Sequence, residues 1–154
     1  MKSLWYYDYP IGTIGIAEED GFISHLFLDK ESHEKFEAAE TPLIRKAAAQ
    51  LKEYFEGQRT KFDLPLSMQG TEFQKTVWKA LQTIAPGKTC SYADIALQIG
   101  SPKAVRAVGL ANKRNPIPII VPCHRVVGKD GSLTGYAGGL SMKQYLLELE
   151  KRYA

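Results

Sequence analysis

The sequence predicts a small α/β N-terminal domain over residues 1–65, followed by a mainly α C-terminal domain with a helix-turn-helix over residues 70–154. Strand-like runs separated by turns fill the start of the chain, whereas helix-capping signatures recur beyond residue 70. Between them, residues 63–70 contain Pro65, Gly70 and little charge, which is typical of a linker. With 44% hydrophobic residues among 154, the chain can bury a substantial core.

The N-terminal domain is predicted to contain strands and one helix. Asp20-Gly21 separates two strand-like runs, as in a hairpin. Thr41 is a suitable N-cap, because Pro42 follows in the first turn and Gly57 offers an end to the helix. The predicted elements are strands at Leu4–Tyr7, Gly12–Ala17 and Phe22–Leu28 and a helix from Pro42 to Gly57.

The C-terminal domain is predicted to be mostly helical. Thr71-x-x-Gln74 and Ser141-x-x-Gln144 have the capping-box pattern, in which a hydroxyl and an amide side chain satisfy free backbone N–H groups. Two short helices that meet at Gly100-Ser101-Pro102 resemble a helix-turn-helix. The predicted helices run from Thr71 to Ala85, from Ser91 to Gly100, from Ser101 to before Asn115, and from Ser141 to Arg152.

Charge is distributed unevenly along the chain, although the net charge is only +3. Residues 1–64 contain 8 Lys/Arg and 12 Asp/Glu, whereas residues 65–154 contain 12 Lys/Arg and 5 Asp/Glu. This asymmetry indicates an anionic partner for the second half. In the helix after Ser101, basic and small residues share one predicted face, which would allow close approach to DNA phosphates. That face comprises Lys103, Arg106, Ala107, Gly109, Leu110 and Lys113, and the opposite face comprises Ala104, Val105, Val108 and Ala111.

Several classes of protein are disfavoured by the composition. No run approaches the roughly eighteen apolar residues of a membrane span, and the first residues lack the apolar run of a signal peptide. The two cysteines, Cys90 and Cys123, form no disulfide framework, so a reducing cytoplasm is the expected location. The first domain has only His25 and His33 as candidate metal ligands beside its carboxylates, so no structural zinc is expected.

The segment Asn115–Val127 concentrates the reactive side chains. Cys123 precedes His124, and three prolines in the segment restrict its backbone. A thiol reacts as the thiolate, so an adjacent base favours a nucleophilic role, although a buried structural cysteine is the alternative. Adjacent side chains of an extended segment point to opposite sides, so a bridging water or a sharp turn must connect Cys123 with His124.

The run Pro122-Cys123-His124-Arg125-Val126 closely resembles the active-site signature of the methylated-DNA–protein-cysteine methyltransferases, or alkylguanine-DNA alkyltransferases. The resemblance is strong over residues 70–152 and rests on size and strand pattern over residues 1–65. It implies a ribonuclease-H-like first domain and a cofactor-free monomer that acts on double-stranded DNA containing alkylated guanine. The other matching segments are Ser91-Tyr92, Arg106-Ala107-Val108-Gly109, Asn115-Pro116-x-Pro118, Gly135-Tyr136-Ala137-Gly138-Gly139 and Glu150.

The resemblance also implies a role for each matching residue. Cys123 would accept the alkyl group irreversibly, once per molecule, from guanine O6 of a flipped base. His124 and Glu150 would activate Cys123 through a water, Asn115 would hold the turn behind it, and Tyr92 would donate a proton. The implied DNA contacts are Arg106, Tyr92, Ser91, Lys103, Ala107, Gly109, Lys113, Arg114 and Arg125. The implied guanine pocket comprises Val121, Pro118, Tyr136, Ala137 and Gly138.

Glu150 also fits its implied role by position in the last helix. Periodicity predicts a buried stripe of Met142, Leu146, Leu149 and Tyr153, with Glu150 flanking it. A carboxylate there could hold the second nitrogen of the His124 imidazole.

Two alternatives remain open from the sequence. A cysteine protease or acyltransferase also uses Cys and His, but usually takes them from distant segments. The non-enzymatic alternative is a helix-turn-helix damage sensor or regulator, which would not need Cys123.

Ala137 departs from relatives that have a serine there, so one possible hydrogen bond to guanine O6 is missing.

Overall fold

The computed structural model describes residues 1–29 and 33–153, which form two compact units, Met1–Gln69 and Gly70–Ala154. The first unit contains a β-sheet and one helix, and the second is mainly helical, as the sequence predicts. No helix among the described residues has the length and apolar character needed to cross a membrane.

The first unit is built on a four-stranded sheet with the order β3-β2-β1-β4. Its strands are β1 (Lys2–Tyr9), β2 (Gly12–Glu19), β3 (Phe22–Phe27) and β4 (Glu37–Ala38). β1, β2 and β3 are antiparallel neighbours, whereas β4 pairs with β1 in parallel. Asp20 and Gly21 both have positive φ, 50° and 86°, as a type I′ hairpin turn requires. The three predicted strands and this turn are confirmed.

Helix α1 (Pro42–Phe55) packs on this sheet. The hydroxyl of Thr41 accepts a hydrogen bond from the N–H of Ile44 (3.1 Å), which confirms the predicted N-cap. Gly57 follows the helix with φ 76°, a left-handed conformation that glycine adopts without steric cost. Ile44, Ala47 and Leu51 are fully buried and supply the helix side of the core.

Residues 63–70 differ from the prediction of a linker. The N–H of Ile23 donates to the carbonyl of Pro65 (2.8 Å), and the N–H of Ser67 donates to the carbonyl of Ile23 (2.9 Å). The Gln50 side chain bonds both the N–H and the carbonyl of Asp63. Residues 63–69 therefore belong to the first unit, because the outer edge of β3 has backbone groups that need partners.

Within its described residues, the second unit contains four α-helices: α2 (Glu72–Leu81), α3 (Tyr92–Gln98), α4 (Val105–Lys113) and α5 (Leu140–Tyr153). α2 and α3 both pack against α4. The predicted capping box at Thr71 and Gln74 is confirmed, and Ser91 forms a second one with Asp94. Two features are absent from the sequence prediction: a parallel strand pair, β5 (Cys90–Ser91) with β6 (Val126–Val127), and a 3₁₀ turn over Cys123–Arg125.

Three predicted helix ends are wrong. α2 ends at Leu81, since residues 82–84 continue as turns with bonds to the third preceding carbonyl. α4 begins at Val105, because residues 101–104 form a turn closed by the N–H of Ala104 on the carbonyl of Ser101 (2.9 Å). α5 begins at Leu140, which leaves Ser141 inside the helix rather than at its cap.

The buried faces of α4 and α5 also differ from the helical-wheel prediction. On α4, Val108 and Ala111 are buried as predicted, but Val105 is 38% exposed and Asn112 is buried instead. On α5, Leu146 and Leu149 are buried as predicted. Tyr153 is 46% exposed and Met142 is half-buried. Lys143 is buried although the prediction did not place it inward, and Glu150, which was predicted to flank the buried stripe, is buried too.

Candidate active site

The backbone before Cys123 is folded into a tight turn. Pro122 has φ −80° and ψ 64°, and the N–H of Cys123 donates to the carbonyl of Val121 (2.8 Å), which together make an inverse γ-turn. Asn115 supports this turn from behind. Its Nδ2 donates to the same Val121 carbonyl (2.8 Å), and its Oδ1 accepts from the N–H of Ile117 (2.9 Å). The Val121 carbonyl therefore accepts two hydrogen bonds, one from the Cys123 N–H and one from the Asn115 side chain, and these bonds fix the position of the Cys123 backbone.

Ile119 carries backbone strain within this segment. Its φ is 75°, a left-handed conformation that β-branched residues rarely adopt and that costs roughly 1–3 kcal/mol. The side chain is 1% exposed, so burial of the apolar group stabilises a conformation that the isolated chain would avoid. Strain of this kind four residues before a reactive thiol is characteristic of a functional segment.

Cys123, His124 and Arg125 form one 3₁₀ turn, and all three are buried. Successive side chains of a 3₁₀ helix diverge by about 120°. Cys123 and His124 therefore do not face each other directly, so the turn does not by itself connect the thiol with the imidazole, and the bridging water stays a prediction. A direct thiol–imidazole hydrogen bond does not occur among the described residues.

Glu150 of α5 holds two of these side chains at once. Its Oε2 lies 2.6 Å from His124 Nε2. Arg125 donates from Nε to Oε1 (2.7 Å) and from Nη2 to Oε2 (2.9 Å), and from Nη1 to the carbonyl of Ile84 (2.6 Å). The prediction that Arg125 contacts DNA is therefore wrong. Its guanidinium is buried and engaged by the site, because a buried carboxylate requires a cationic partner.

These contacts determine the protonation states of the pair. Burial alone would raise the pKa of Glu150, but hydrogen bonds from His124 and Arg125 outweigh it and lower that pKa to about 2. Burial lowers the pKa of His124, and Glu150 only partly opposes this effect. His124 is therefore neutral at neutral pH. Because an ionised carboxylate only accepts hydrogen bonds, Nε2 carries the imidazole proton and Nδ1 is left as the basic nitrogen.

His124 Nδ1 is buried and has no hydrogen-bond partner among the described residues. The lone pair of this nitrogen is thus free to accept a proton. Burial raises the pKa of Cys123 to about 11, while Asn115 and Lys143 act in the opposite direction. At neutral pH the sulfur therefore carries a proton, and a base must remove it before the sulfur can act as a nucleophile.

Lys143 is the residue that sequence reasoning missed. Its side chain is 0% exposed, and Nζ donates to the carbonyls of Val126 (2.6 Å) and Thr134 (3.1 Å). Burial lowers the pKa of the Lys143 ammonium, and the nearby Cys123 partly opposes this effect. Lys143 and Glu150 are seven residues apart on α5, two helical turns, so this spacing is a signal that could have placed both on one face.

The five residues expected to form the guanine pocket differ in burial. Val121 and Pro118 are buried, and Tyr136 is 8% exposed with a hydroxyl that lacks a partner among the described residues. The Tyr136 ring meets His124 edge-on with centroids 6.5 Å apart. Ala137 is exposed and Gly138 is half-buried.

Most of the expected DNA contacts lie on the surface of α3, α4 and the turn between them. Lys103, Arg106, Ala107, Lys113 and Arg114 are exposed. In the described part of the chain, none of these four cations forms an ion pair. Gly109 is half-buried, and a Cβ there would lie 3.8 Å from the Tyr92 ring. Ser91 is committed to capping α3, since its Oγ accepts from the N–H of Asp94 (3.0 Å).

The site combines a buried thiol with an imidazole that is held by a carboxylate. The exposed cations nearby in sequence form no ion pairs in the described part of the chain. This combination defines a class of protein that uses a cysteine nucleophile and binds an anionic polymer. Residues 72–152 match the family described as 6-O-methylguanine DNA methyltransferase, DNA binding domain. Residues 5–68 match 6-O-methylguanine DNA methyltransferase, ribonuclease-like domain. The chain therefore belongs to the methylated-DNA–protein-cysteine methyltransferase family.

Individual relatives support the same assignment along the whole chain. The constitutive methylated-DNA–protein-cysteine methyltransferase of Bacillus subtilis is 53% identical over 150 residues, which cover 92% of this chain and 91% of that protein. The methyltransferase of Methanosarcina barkeri is 51% identical, with 95% and 97% covered. A crystal structure of Mycobacterium tuberculosis OGT in complex with DNA superposes with a TM-score of 0.92 and 47% sequence identity. The match covers 99% of this chain and 94% of the OGT chain.

Proposed function

We propose that this protein repairs duplex DNA by direct reversal, moving an alkyl group from guanine O6 to the sulfur of its own Cys123. The observation that carries the proposal is the buried His124 next to the buried Cys123: its Nε2 is held by Glu150 and its Nδ1 has no partner among the described residues, within a family of methylated-DNA–protein-cysteine methyltransferases. The thioether product is stable, so each molecule reacts once.

Activation of the thiol follows from the protonation states. A water between Cys123 Sγ and His124 Nδ1 would carry the thiol proton to the imidazole, since the two side chains diverge on the 3₁₀ turn. Glu150 would stabilise the imidazolium that forms, because its carboxylate is already ionised and hydrogen-bonded to Nε2. Lys143 would favour the thiolate by its charge.

The transfer balances without any cofactor. The sulfur forms a bond to the alkyl carbon as the bond from that carbon to O6 breaks, and the electron pair of the broken bond stays on O6. Guanine then takes up one proton and returns to its keto form. In sum, the proton of the thiol replaces the alkyl group on guanine. Tyr92, at the start of α3, is the proposed donor of the proton to the departing base.

Reaction requires the target base to leave the duplex, since O6 lies within the stacked helix. We assign α3, the turn after it and α4 as a helix-turn-helix that contacts the minor groove of DNA. Arg106 is exposed on α4 and has the length to fill the space left by the flipped base. The cations Lys103, Lys113 and Arg114 would contact phosphates with little sequence preference.

The pocket for the flipped guanine is proposed between the segment 118–121 and the loop 136–138. Val121, Pro118 and Tyr136 would form its buried walls, and Ala137 and Gly138 its outer rim. Tyr136 would present a hydroxyl without a protein partner to the base. We further propose that the protein acts as a monomer in the cytoplasm, where its two free cysteines would stay reduced.

The test is intact-protein mass spectrometry, with peptide mapping, after incubation with duplex DNA that contains one 6-O-methylguanine. A stoichiometric gain of about 14 Da on Cys123 supports alkyl transfer by its thiol. Cys123→Ala should bind the same DNA without any gain in mass. Binding by the wild-type protein without an adduct would instead indicate a damage sensor or regulator.

A further inference from the structure

The hydroxyls of Tyr92 and Thr134 lie 2.5 Å apart, although the two residues are 42 positions apart in sequence. Tyr92 begins α3, whereas Thr134 lies in the loop that leads to Tyr136. Both side chains are half-buried. The carbonyl of Thr134 also accepts a hydrogen bond from the buried Lys143 Nζ (3.1 Å). The Thr134 backbone is thus fixed by α5 while its hydroxyl is fixed on Tyr92.

We propose that Thr134 is a positioning residue that orients the phenol of Tyr92 toward the flipped guanine and stabilises the phenolate that forms when Tyr92 gives up its proton. This inference rests on the proposed function, in which Tyr92 is the proton donor. Thr134 lies outside the segments that carry the resemblance to the methyltransferase family, so that resemblance assigns it no role.

The geometry determines what a threonine hydroxyl can do at this place. A phenol has one proton, so Tyr92 can protonate guanine only if that proton does not point to a protein acceptor. When Thr134 Oγ1 donates to the phenolic oxygen, the Tyr92 proton is free to point into the pocket. The same hydrogen bond strengthens as negative charge develops on the phenolic oxygen, because bonds to charged acceptors are stronger than neutral ones.

Ala137, in the same loop as Thr134, has no side-chain hydroxyl. Ala137 has only a methyl group, so the loop 136–138 offers no side-chain hydroxyl at that position. Thr134, three residues earlier, supplies a hydroxyl that reaches the pocket through Tyr92 instead of directly. The proton balance is unchanged: Tyr92 gives one proton to guanine and later recovers one from solvent, His124 releases to solvent the proton that it took from the thiol, and Thr134 keeps its own.

The test compares Thr134→Val, which keeps the shape but removes the hydroxyl, with Thr134→Ser, which keeps the hydroxyl. Single-turnover methylation of Cys123 from duplex DNA should slow by about tenfold in Thr134→Val, as expected for the loss of one charge-assisted hydrogen bond. Thr134→Ser should restore most of the rate, and DNA affinity should change by less than about twofold in both. Ser132→Ala is the matched control, because it removes an exposed hydroxyl from the same loop, and this variant should react like the wild type.

A double-mutant cycle separates positioning from a purely structural role. In a Tyr92→Phe background, Thr134→Val should cause no further loss of rate, because the phenol on which it acts is gone. Equal losses in both backgrounds, or a wild-type rate in Thr134→Val, would overturn the proposal. Thr134→Ala provides the same comparison if the valine variant has a lowered melting temperature. Failure of the wild-type protein to methylate Cys123 would refute the proposed function itself, which is a distinct outcome.

Discussion

Replacement of Glu150 by glutamine tests whether the buried carboxylate both holds the site and activates the histidine. The carboxylate accepts one hydrogen bond from His124 and two from Arg125, at 2.6 to 2.9 Å, and is 4% exposed. Glutamine has nearly the same shape but no charge. The buried guanidinium of Arg125 would then face an uncharged amide, whose single oxygen replaces the two carboxylate oxygens that now accept from Arg125 and His124.

The expected loss of stability can be worked out in two ways. A carboxyl pKa lowered from 4.5 to about 2 corresponds to about 3 kcal/mol of stabilisation. Removing one partner of a buried ion pair costs about 3–5 kcal/mol in other proteins, which agrees. Since this pKa is lowered on folding, the contribution is complete above pH 4.5 and is lost as the pH falls toward 2. Glu150→Gln should therefore lower the melting temperature at pH 7 by roughly 6–12 °C.

The same change should slow the chemistry independently of stability. Without the carboxylate, the imidazolium of His124 loses its stabilising charge, so Nδ1 becomes a weaker base. Single-turnover methylation of Cys123 at pH 7 should fall by roughly 100-fold, within the range of general-base contributions. The acid limb of the rate profile should move to lower pH, because the pKa of His124 falls further without Glu150.

Glu148→Gln is the matched control for this experiment. Glu148 lies on the same helix, is exposed, and contacts Gln144 only at the surface (3.1 Å). Its replacement should leave both the melting temperature and the methylation rate unchanged. If folded Glu150→Gln methylates Cys123 at the wild-type rate and with the same pH profile, the proton relay through His124 and Glu150 is wrong, and the carboxylate is only structural.

Three further predictions follow from the same site. Arg106→Ala should slow repair in duplex DNA much more than reaction with free 6-O-methylguanine; equal slowing would refute its role in base flipping. Lys143→Met should raise the pKa of the Cys123 thiol, as measured from thiolate absorbance against pH in a Cys90→Ser background, and an unchanged pKa would contradict the charge effect. Lys103→Ala with Lys113→Ala should lower the dependence of log affinity on log salt by about 1 per cation removed; an unchanged slope would exclude phosphate contacts by these residues.

The sequence predicts local structure well where short-range chemistry decides it. The cap at Thr41, the capping box at Thr71 and the positive-φ turn at Asp20-Gly21 involve groups within three residues of one another. Their predictions are confirmed because such bonds form regardless of distant parts of the chain. The wrong end of α2 and the wrong starts of α4 and α5 follow from the same limit, since a suitable residue does not by itself fix where a helix begins or ends.

The sequence by itself determined the three longer strands, the helices apart from some of their ends, the family, and the residues Cys123, His124 and Glu150 as members of one site. The tertiary structure alone decided that Arg125 is buried against Glu150, that Lys143 points inward, and that Thr134 meets Tyr92. Periodicity assigns charged residues to the surface, because an isolated charge is costly to bury. These charges are buried because partners brought together by the fold satisfy them, and such partners lie up to 41 residues away, as Ile84 does from Arg125.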